Sequence, residues 1–323
     1  RRPEQLDLNG GAGSSFDSDD IANQPSFGRE LTSTLLRDPL LTSTGPGVLS
    51  IGGLNPRLNG LAIDGVLQQD DFGLSNSTYP TLRSPISLDT VQAASVVASD
   101  YSVKASGFQG GLINVVTKSG TNDLNGSAYY YRSSDTFRGE MPNNTFRDAG
   151  DFKNREYGIT VGGPIIKDRL FFFAAYEKFK NTEQRSNDFA SAGVDPALFE
   201  QIRQDTILHY GFDPGAIEDT FAVPQESKRW LGKIDWNITD NHRASVTYQR
   251  TNDTDVAGTT FSRSGGFAFP SAWYNSGKKL DSYSGQLFSD WTENFSTTLR
   301  LSYKEQTTIQ DSRANAIDPN LGE

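Results

Sequence analysis

The chain has 323 residues, enough for one large or two ordinary domains, and only 35% of them are hydrophobic. Its 30 basic and 40 acidic residues leave a net charge of −10, so it lacks the clustered Lys and Arg needed for phosphate neutralisation and does not read as a nucleic-acid binder. No cysteine is present, which removes disulfides and thiolate metal sites, and no run approaches the ~18 apolar residues of a membrane helix, although a transmembrane β-barrel would escape that test.

Residues 1–15 are rich in Gly and Ser and read as a linker. A capping signal follows at Ser18-Asp19-Asp20-Ile21. Leu31, Leu35 and Leu36 then fall at helical spacing within 29–37, and Asp38-Pro39 closes that short helix. From Ser50 to Val66 the chain reads as two short strands about a tight turn, with Asp64-Gly65 a further hairpin turn.

The next stretch, 68–85, is polar and contains Asp70, Asp71, Phe72, Tyr79 and Arg83. An exposed aromatic beside paired carboxylates and an arginine offers both stacking area and charged hydrogen bonds, so these five are the candidate ligand-binding residues. The alternative is that Asp70 and Asp71 only tie the loop to neighbouring Arg and Lys side chains. A short helix or turn at 87–91 and a strand at 94–98 precede the Gly-rich turn Gly107-Phe108-Gln109-Gly110-Gly111, and Leu112 to Thr117 is a β-branched run that reads as a buried strand.

Past the turn formers Lys118 to Asn122, alternation dominates. Trp230, Ile234, Trp236 and Ile238 share one parity and Lys233 and Asp235 the other; likewise Leu299, Leu301 and Tyr303 oppose Arg300, Ser302 and Lys304. Two-faced strands are expected at about 124–134, 154–163, 169–181, 228–239, 242–252, 279–292 and 295–309. Several reach the ~9–11 residues of a tilted membrane-spanning strand. Tight turns at 162–168, 240–241 and 292–294 alternate with long connections at 135–153, 182–227 and 253–278, and the long ones fall on one side, as in outer-membrane barrels. Pro196 to Tyr210 reads as a helix within the second long loop. Tyr129, Tyr130, Tyr131, Trp230, Trp236, Trp291 and Tyr303 are candidates for interfacial girdles. His209 and His242 stand far apart with no His/Cys cluster, so no metal or other cofactor is expected.

In register from Ser106 to Gly120, the sequence SGFQGGLINVVTKSG resembles the end of the plug of TonB-dependent outer-membrane transporters, more narrowly the Oar-like branch. Residues 50–66 resemble the plug strands of that family, with Gly52 and Gly53 where Arg is frequent. The segment 86–98 resembles the strand ahead of the Gly-rich turn, with Gln92-Ala93 replacing an acidic residue. Arg155 to Phe173 resembles the branch's second and third wall strands.

The resemblance implies a mixed α/β plug domain followed by antiparallel strands of a transmembrane β-barrel of roughly twenty-two strands, in the outer membrane of a Gram-negative bacterium. On this reading 1–15 is linker, 16–121 plug and 122–323 the first part of the barrel. It implies energy-coupled transport of a peptide, protein or other large cargo. The implied partners are a TonB-type complex in the periplasm, outer-membrane lipid and the rest of the same barrel. No TonB box is visible, and seven strands in lipid would leave two unpaired edges, so the chain is expected to be one piece of a longer polypeptide. The rival readings are a soluble β-rich adhesin or carbohydrate-binding protein and, third, a β-rich glycosidase, for which no carboxylate constellation stands out.

Overall fold

The fold is given by a computed structural model, which describes residues 13–22, 29–45, 48–70, 78–98, 110–137, 151–187, 195–258, 260–261 and 266–313, together with Phe189 and Gly193. Two sheets carry the structure. The first is built from β1 (Gly13–Asp17), β4 (Gly60–Ile63), β5 (Val66–Leu67), β6 (Val91–Val97) and β7 (Leu112–Thr117), in the order β1-β6-β7-β4-β5, with β4 and β7 parallel and the other pairs antiparallel. Helices α1 (Ser18–Ala22) and α2 (Leu31–Leu35) and the hairpin β2 (Leu41–Gly45) with β3 (Val48–Ile51) complete this unit. Leu31, Leu35, Leu49, Leu61, Val96, Ile113 and Val115 are buried together as its core.

Local chemistry explains several of these elements. The first turn of α1 is capped by Asp17, whose Oδ1 accepts from Asp19 N at 3.0 Å and Asp20 N at 2.9 Å, rather than by Ser18. The β4–β5 turn places Asp64 at φ 46° and Gly65 at φ 75°, the double left-handed geometry of a type I′ hairpin. Two sequence expectations shift here. Residues 13–15, expected in the linker, pair with β6. The strand expected at 94–98 begins at Val91.

The second sheet is β8 (Asn125–Ser134), β9 (Phe152–Ile166), β10 (Leu170–Ser186), β11 (Thr220–Thr239), β12 (His242–Ala257), β15 (Tyr274–Thr292) and β16 (Phe295–Ser312), each antiparallel to its chain neighbour in this set. The small hairpin β13 (Thr260–Phe261) and β14 (Gly266–Phe267) sits between β12 and β15. Most of these strands run further toward the long loops than alternation shows: the extensions of β10 and β16 are polar on both faces, whereas Phe221, Val223 and Val256 on those of β11 and β12 are buried in a cluster with Trp273. The turn expected over 162–168 shortens to 167–169, with Gly162 to Ile166 inside β9 and paired to β10. Helix α3 (Pro196–Tyr210) lies where the sequence places it. Asp195 caps it by accepting from Ala197 N at 2.9 Å, and Gly211 ends it at φ 66°.

The large sheet has an inverted character. One face exposes Ile234, Val246, Leu299 and Leu301, the last at 67%. The other face buries polar groups against the small unit: Arg229, Lys233, Thr251, Asp253 and Gln286 are all nearly inaccessible. A sheet stabilised in water buries its apolar face. An apolar outside over a polar inside is the arrangement of a wall whose outer solvent is hydrocarbon.

Candidate functional site: a charged seam between the two sheets

The polar inner face of the large sheet meets the small unit along two clusters of buried charge. The first centres on Glu30, just before α2. Its side chain does not cap the helix. Instead it forms an ion pair with Arg83 of the same unit, accepts from Arg229 Nη2 of β11 at 3.2 Å, and accepts from Ser84 N at 3.0 Å. Arg229 also donates from Nη1 to Glu177 Oε1 of β10 at 2.6 Å. The other oxygen of Glu177 accepts from Ser87 Oγ and Tyr129 OH, each at 2.5 Å. Arg83 stacks its guanidinium 3.5 Å above the Phe179 ring and lies 3.7 Å from Glu156. Asp253 of β12 accepts from Leu82 N at 2.9 Å, and Thr251 donates to the Pro85 carbonyl at 2.6 Å. Burial works against ionisation of Glu30, but Arg83 and Arg229 outweigh it and hold its pKa below the usual glutamate value.

The second cluster centres on Asp64 in the β4–β5 turn. Its Oδ1 accepts from Thr117 N at 2.9 Å, and its Oδ2 accepts from Thr117 Oγ1 at 2.6 Å and faces Lys233 Nζ at 3.4 Å. Lys233 donates onward to Thr117 O at 3.3 Å, and Gln286 donates to the Asp64 carbonyl. At Gly65 a Cβ would come within 2.6 Å of the Arg300 guanidinium, so glycine serves both the turn and the close approach of β16. Below this cluster the linking segment passes tightly along the wall. A Cβ on Gly120 would overlap the carbonyl oxygens of Phe172 and Gly163.

Buried charges of this kind are tolerable only when paired, and the seam pairs them across the two sheets. It holds the units together through directional polar contacts rather than an apolar interface. Separation would therefore release groups that water can solvate.

The five sequence candidates are distributed differently from expectation. Asp71 and Phe72 lie outside the described residues. Asp70 is half-buried and accepts from Gln306 of β16 at 2.8 Å, a tether to the wall. Tyr79 is fully buried in the first core with its hydroxyl 2.8 Å from Thr32 Oγ1, and burial pushes its phenol pKa up. Arg83 is only 9% exposed and belongs to the seam. Tyr79 and Arg83 thus turn away from solvent: the loop is polar in composition, yet its two bulkiest described side chains fold inward. Sequence reading missed Glu30, Arg229, Glu177 and Asp64 as members of one site. The usable signal was parity: Arg229 and Lys233 share one face of β11, opposite to Trp230 and Ile234. Tyr129 and Tyr131, taken as girdle residues, face inward; Arg29 Nη1 donates to Tyr131 OH at 3.3 Å. His242 stacks on Trp291 with ring centroids 4.9 Å apart, and the described residues hold no His/Cys/Asp/Glu group suited to a metal.

Comparison with known proteins agrees with this geometry. A model of the outer membrane beta barrel domain matches residues 116–197. The chain is 27% identical over 216 residues to the TonB-dependent transporter Oar of Myxococcus xanthus, a match covering 63% of this chain and 19% of Oar. Among solved structures, the outer membrane transporter YddB from Escherichia coli superposes with a TM-score of 0.64 at 13% identity, covering 90% of this chain and 38% of that one. The ferric enterobactin receptor PfeA from Pseudomonas aeruginosa gives 0.62 at 14% identity, covering 91% of this chain and 40% of that one. The chain therefore spans well under half the length of these relatives.

Proposed function

We propose that this chain, a homologue of the TonB-dependent transporter Oar placed in the outer membrane of a Gram-negative bacterium, comprises the plug and the first seven wall strands of an energy-coupled transporter. On this reading residues 16–121 are the plug and 122–323 the start of a wall of roughly twenty-two strands, completed by chain beyond the seven seen here. The observation that carries it is the charged seam under an inverted sheet: the lumen face is polar, buried and bonded to the small unit, while the opposite face is apolar and exposed.

The mechanism follows from the chemistry of the seam. Intact, its ion pairs hold the plug in register with the wall and close the lumen. Pulled from the periplasmic side by a TonB-type complex, the contacts break one by one and each freed group is hydrated, so release exposes little apolar surface. The probable siderophore receptor PirA of Acinetobacter baumannii and the siderophore receptor PirA from Pseudomonas aeruginosa carry siderophores in their names, which favours a cargo of that class among the peptide, protein or other large ligands expected from sequence. Asp71 and Phe72 are the proposed outward contribution of the plug loop to cargo contact, with Asp70 tying the loop to the wall.

The test uses the absence of native cysteine from this chain. Ser87→Cys in the full-length protein, with any cysteine outside these residues replaced by serine, places a thiol in the seam, where a periplasm-permeant maleimide reaches it only when the plug moves. Labelling in cells is expected to rise with an energised inner membrane and fall on adding a protonophore. Labelling indifferent to the protonophore would overturn the proposal.

A further inference from the structure

The outer face of the wall carries a ring on each of its seven strands; the band steps diagonally twice, because Tyr157 stands opposite Lys178 and Trp230 opposite Arg250. Tyr130 pairs with Tyr157, Tyr176 with Trp230, and Tyr248 with Tyr283, which in turn pairs with Tyr303. Ring centroids lie 6.5 Å apart for Tyr157 and Tyr176, 5.3 Å for Tyr176 and Trp230, and 4.8 Å for Tyr248 and Tyr283. Amphipathic rings in such a row mark the level where hydrocarbon gives way to headgroups.

Two residues further toward the long loops, on the same face, each of the first four strands bears a cation. These are Arg132 on β8, Arg155 on β9, Lys178 on β10 and Lys228 on β11. Lys153 and Lys180 extend the patch by one more step. Among the described residues, Glu226 is the acid at these positions, and it pairs with both Lys178 at 3.3 Å and Lys228 at 2.6 Å. Arg132, Lys153, Arg155 and Lys180 have no ion-pair partner among the described residues. Across β12, β15 and β16 the equivalent positions are Arg250, Asp281 and Glu305, so the excess of positive charge is confined to one sector.

Within that sector Arg132 stands directly opposite Arg155, and Arg155 directly opposite Lys180; the row ends at Glu226, opposite Lys180, whose carboxylate is held by Lys178 and Lys228. Like charges facing each other across a ladder repel, and a repeated row of them calls for a counter-anion. Three adjacent strands at about 4.8 Å spacing make the row roughly 10 Å wide, broader than one phosphate. Arginine favours phosphate oxygens through its planar fork of donors.

We propose that this sector is a binding site for the headgroup of a bisphosphorylated glycolipid in the outer leaflet, held by Arg132, Arg155 and Lys180 above the aromatic row. The proposal rests on the membrane reading given under Proposed function. It gives the wall a fixed lipid contact beside β8, the first strand after the plug.

The full-length protein is reconstituted in phosphatidylcholine vesicles with and without diphosphoryl or monophosphoryl lipid A, and its unfolding is followed by heat-modifiable gel mobility. Diphosphoryl lipid A is expected to raise the transition temperature, and the monophosphoryl form to raise it less. The triple variant Arg132→Gln, Arg155→Gln, Lys180→Gln should bind lipid A roughly a hundredfold more weakly, at about fivefold per charge, and lose the shift. Lys279→Gln, outside the sector, should keep it. A triple variant that folds in phosphatidylcholine and retains the full shift overturns the proposal, as does an equal shift with both lipids. Should the triple variant not fold, the wild-type shift must collapse in high salt, and its persistence there overturns the proposal. A protein that never becomes heat-modifiable in phosphatidylcholine instead overturns the membrane reading beneath it.

Discussion

At the scale of single residues, the chain depends on a few buried charges whose partners lie on the other sheet. Arg229 is 3% exposed and bridges Glu30 and Glu177. Arg229→Ala leaves two buried carboxylates short of a cation, and is expected to weaken docking of the small unit by about 3–5 kcal/mol. Tryptic release of residues 16–121 from the folded full-length protein, compared with wild type, measures this. Glu30 supplies a pH dependence of definite sign. Its folded pKa is lowered, so its stabilisation is present above the unfolded glutamate value near 4.5 and is lost as pH falls through the lower folded value. Glu30→Gln should therefore lower proteolytic protection at neutral pH, with the difference from wild type closing only in acid below about 4.5. A difference that stays constant down to pH 3 would show that another group controls the acid response.

At the scale of elements, the wall strands separate two solvents by parity alone. Leu301 is exposed on the apolar face, while Ser302 shares the face of Arg300 and Lys304, and Lys304 donates to Gln69 O of the small unit at 2.6 Å. Leu301→Arg should cost roughly 2–4 kcal/mol in a urea refolding titration into lipid vesicles, and Ser302→Arg much less. Equal losses would reject the assignment of faces. The crossover from plug to wall is limited by a different constraint. Gly120→Val drives a side chain into the Phe172 and Gly163 carbonyls, so the yield of heat-modifiable protein should fall, whereas Ser119→Ala should be nearly silent. In the long loop, Arg203 donates to Asp213 at 2.6 Å and holds that carboxyl down at about 2. The contribution of this pair is present above the ordinary aspartate value and lost only as pH falls through about 2. Because the pair is solvent-exposed, Asp213→Asn should change stability by less than about 1 kcal/mol.

At the scale of the molecule, the small unit and the wall form one assembly in which the first fills the polar side of the second. Deleting 16–121 from the full-length protein should leave an inserted wall, because its outer face and backbone ladder do not use the plug. It should also make cells permeable to a large hydrophilic antibiotic, read as a lowered inhibitory concentration. Unchanged resistance with the deleted protein present and heat-modifiable would mean that the plug is not what closes the lumen.

Short-range patterns in the chain set the two-faced strands, their alternation of short turns and long loops, several short elements of the small unit and the loop helix at 196–210. Each of these is set by neighbours within a few positions: period-2 side-chain direction, turn residues, caps. The sequence also separates Ile234 and Leu301 from Lys233 and Arg300, since parity is a local property. Which of these groups meet is a property of the folded chain. Glu30 and Arg229 are 199 positions apart and Asp64 and Gln286 are 222 apart, and no local pattern links them. For the same reason the polar stretch around Tyr79 suggests exposure although that ring fills the first core, and the sequence groups Tyr129 and Tyr131 with Tyr130 although they face the opposite way. A run of three tyrosines satisfies either parity, and the inward one was chosen by Glu177 and Arg29, which the fold brings from elsewhere in the chain. Local chemistry builds the strands, but pairing distant charges in a dry seam requires the closed geometry that the whole chain creates.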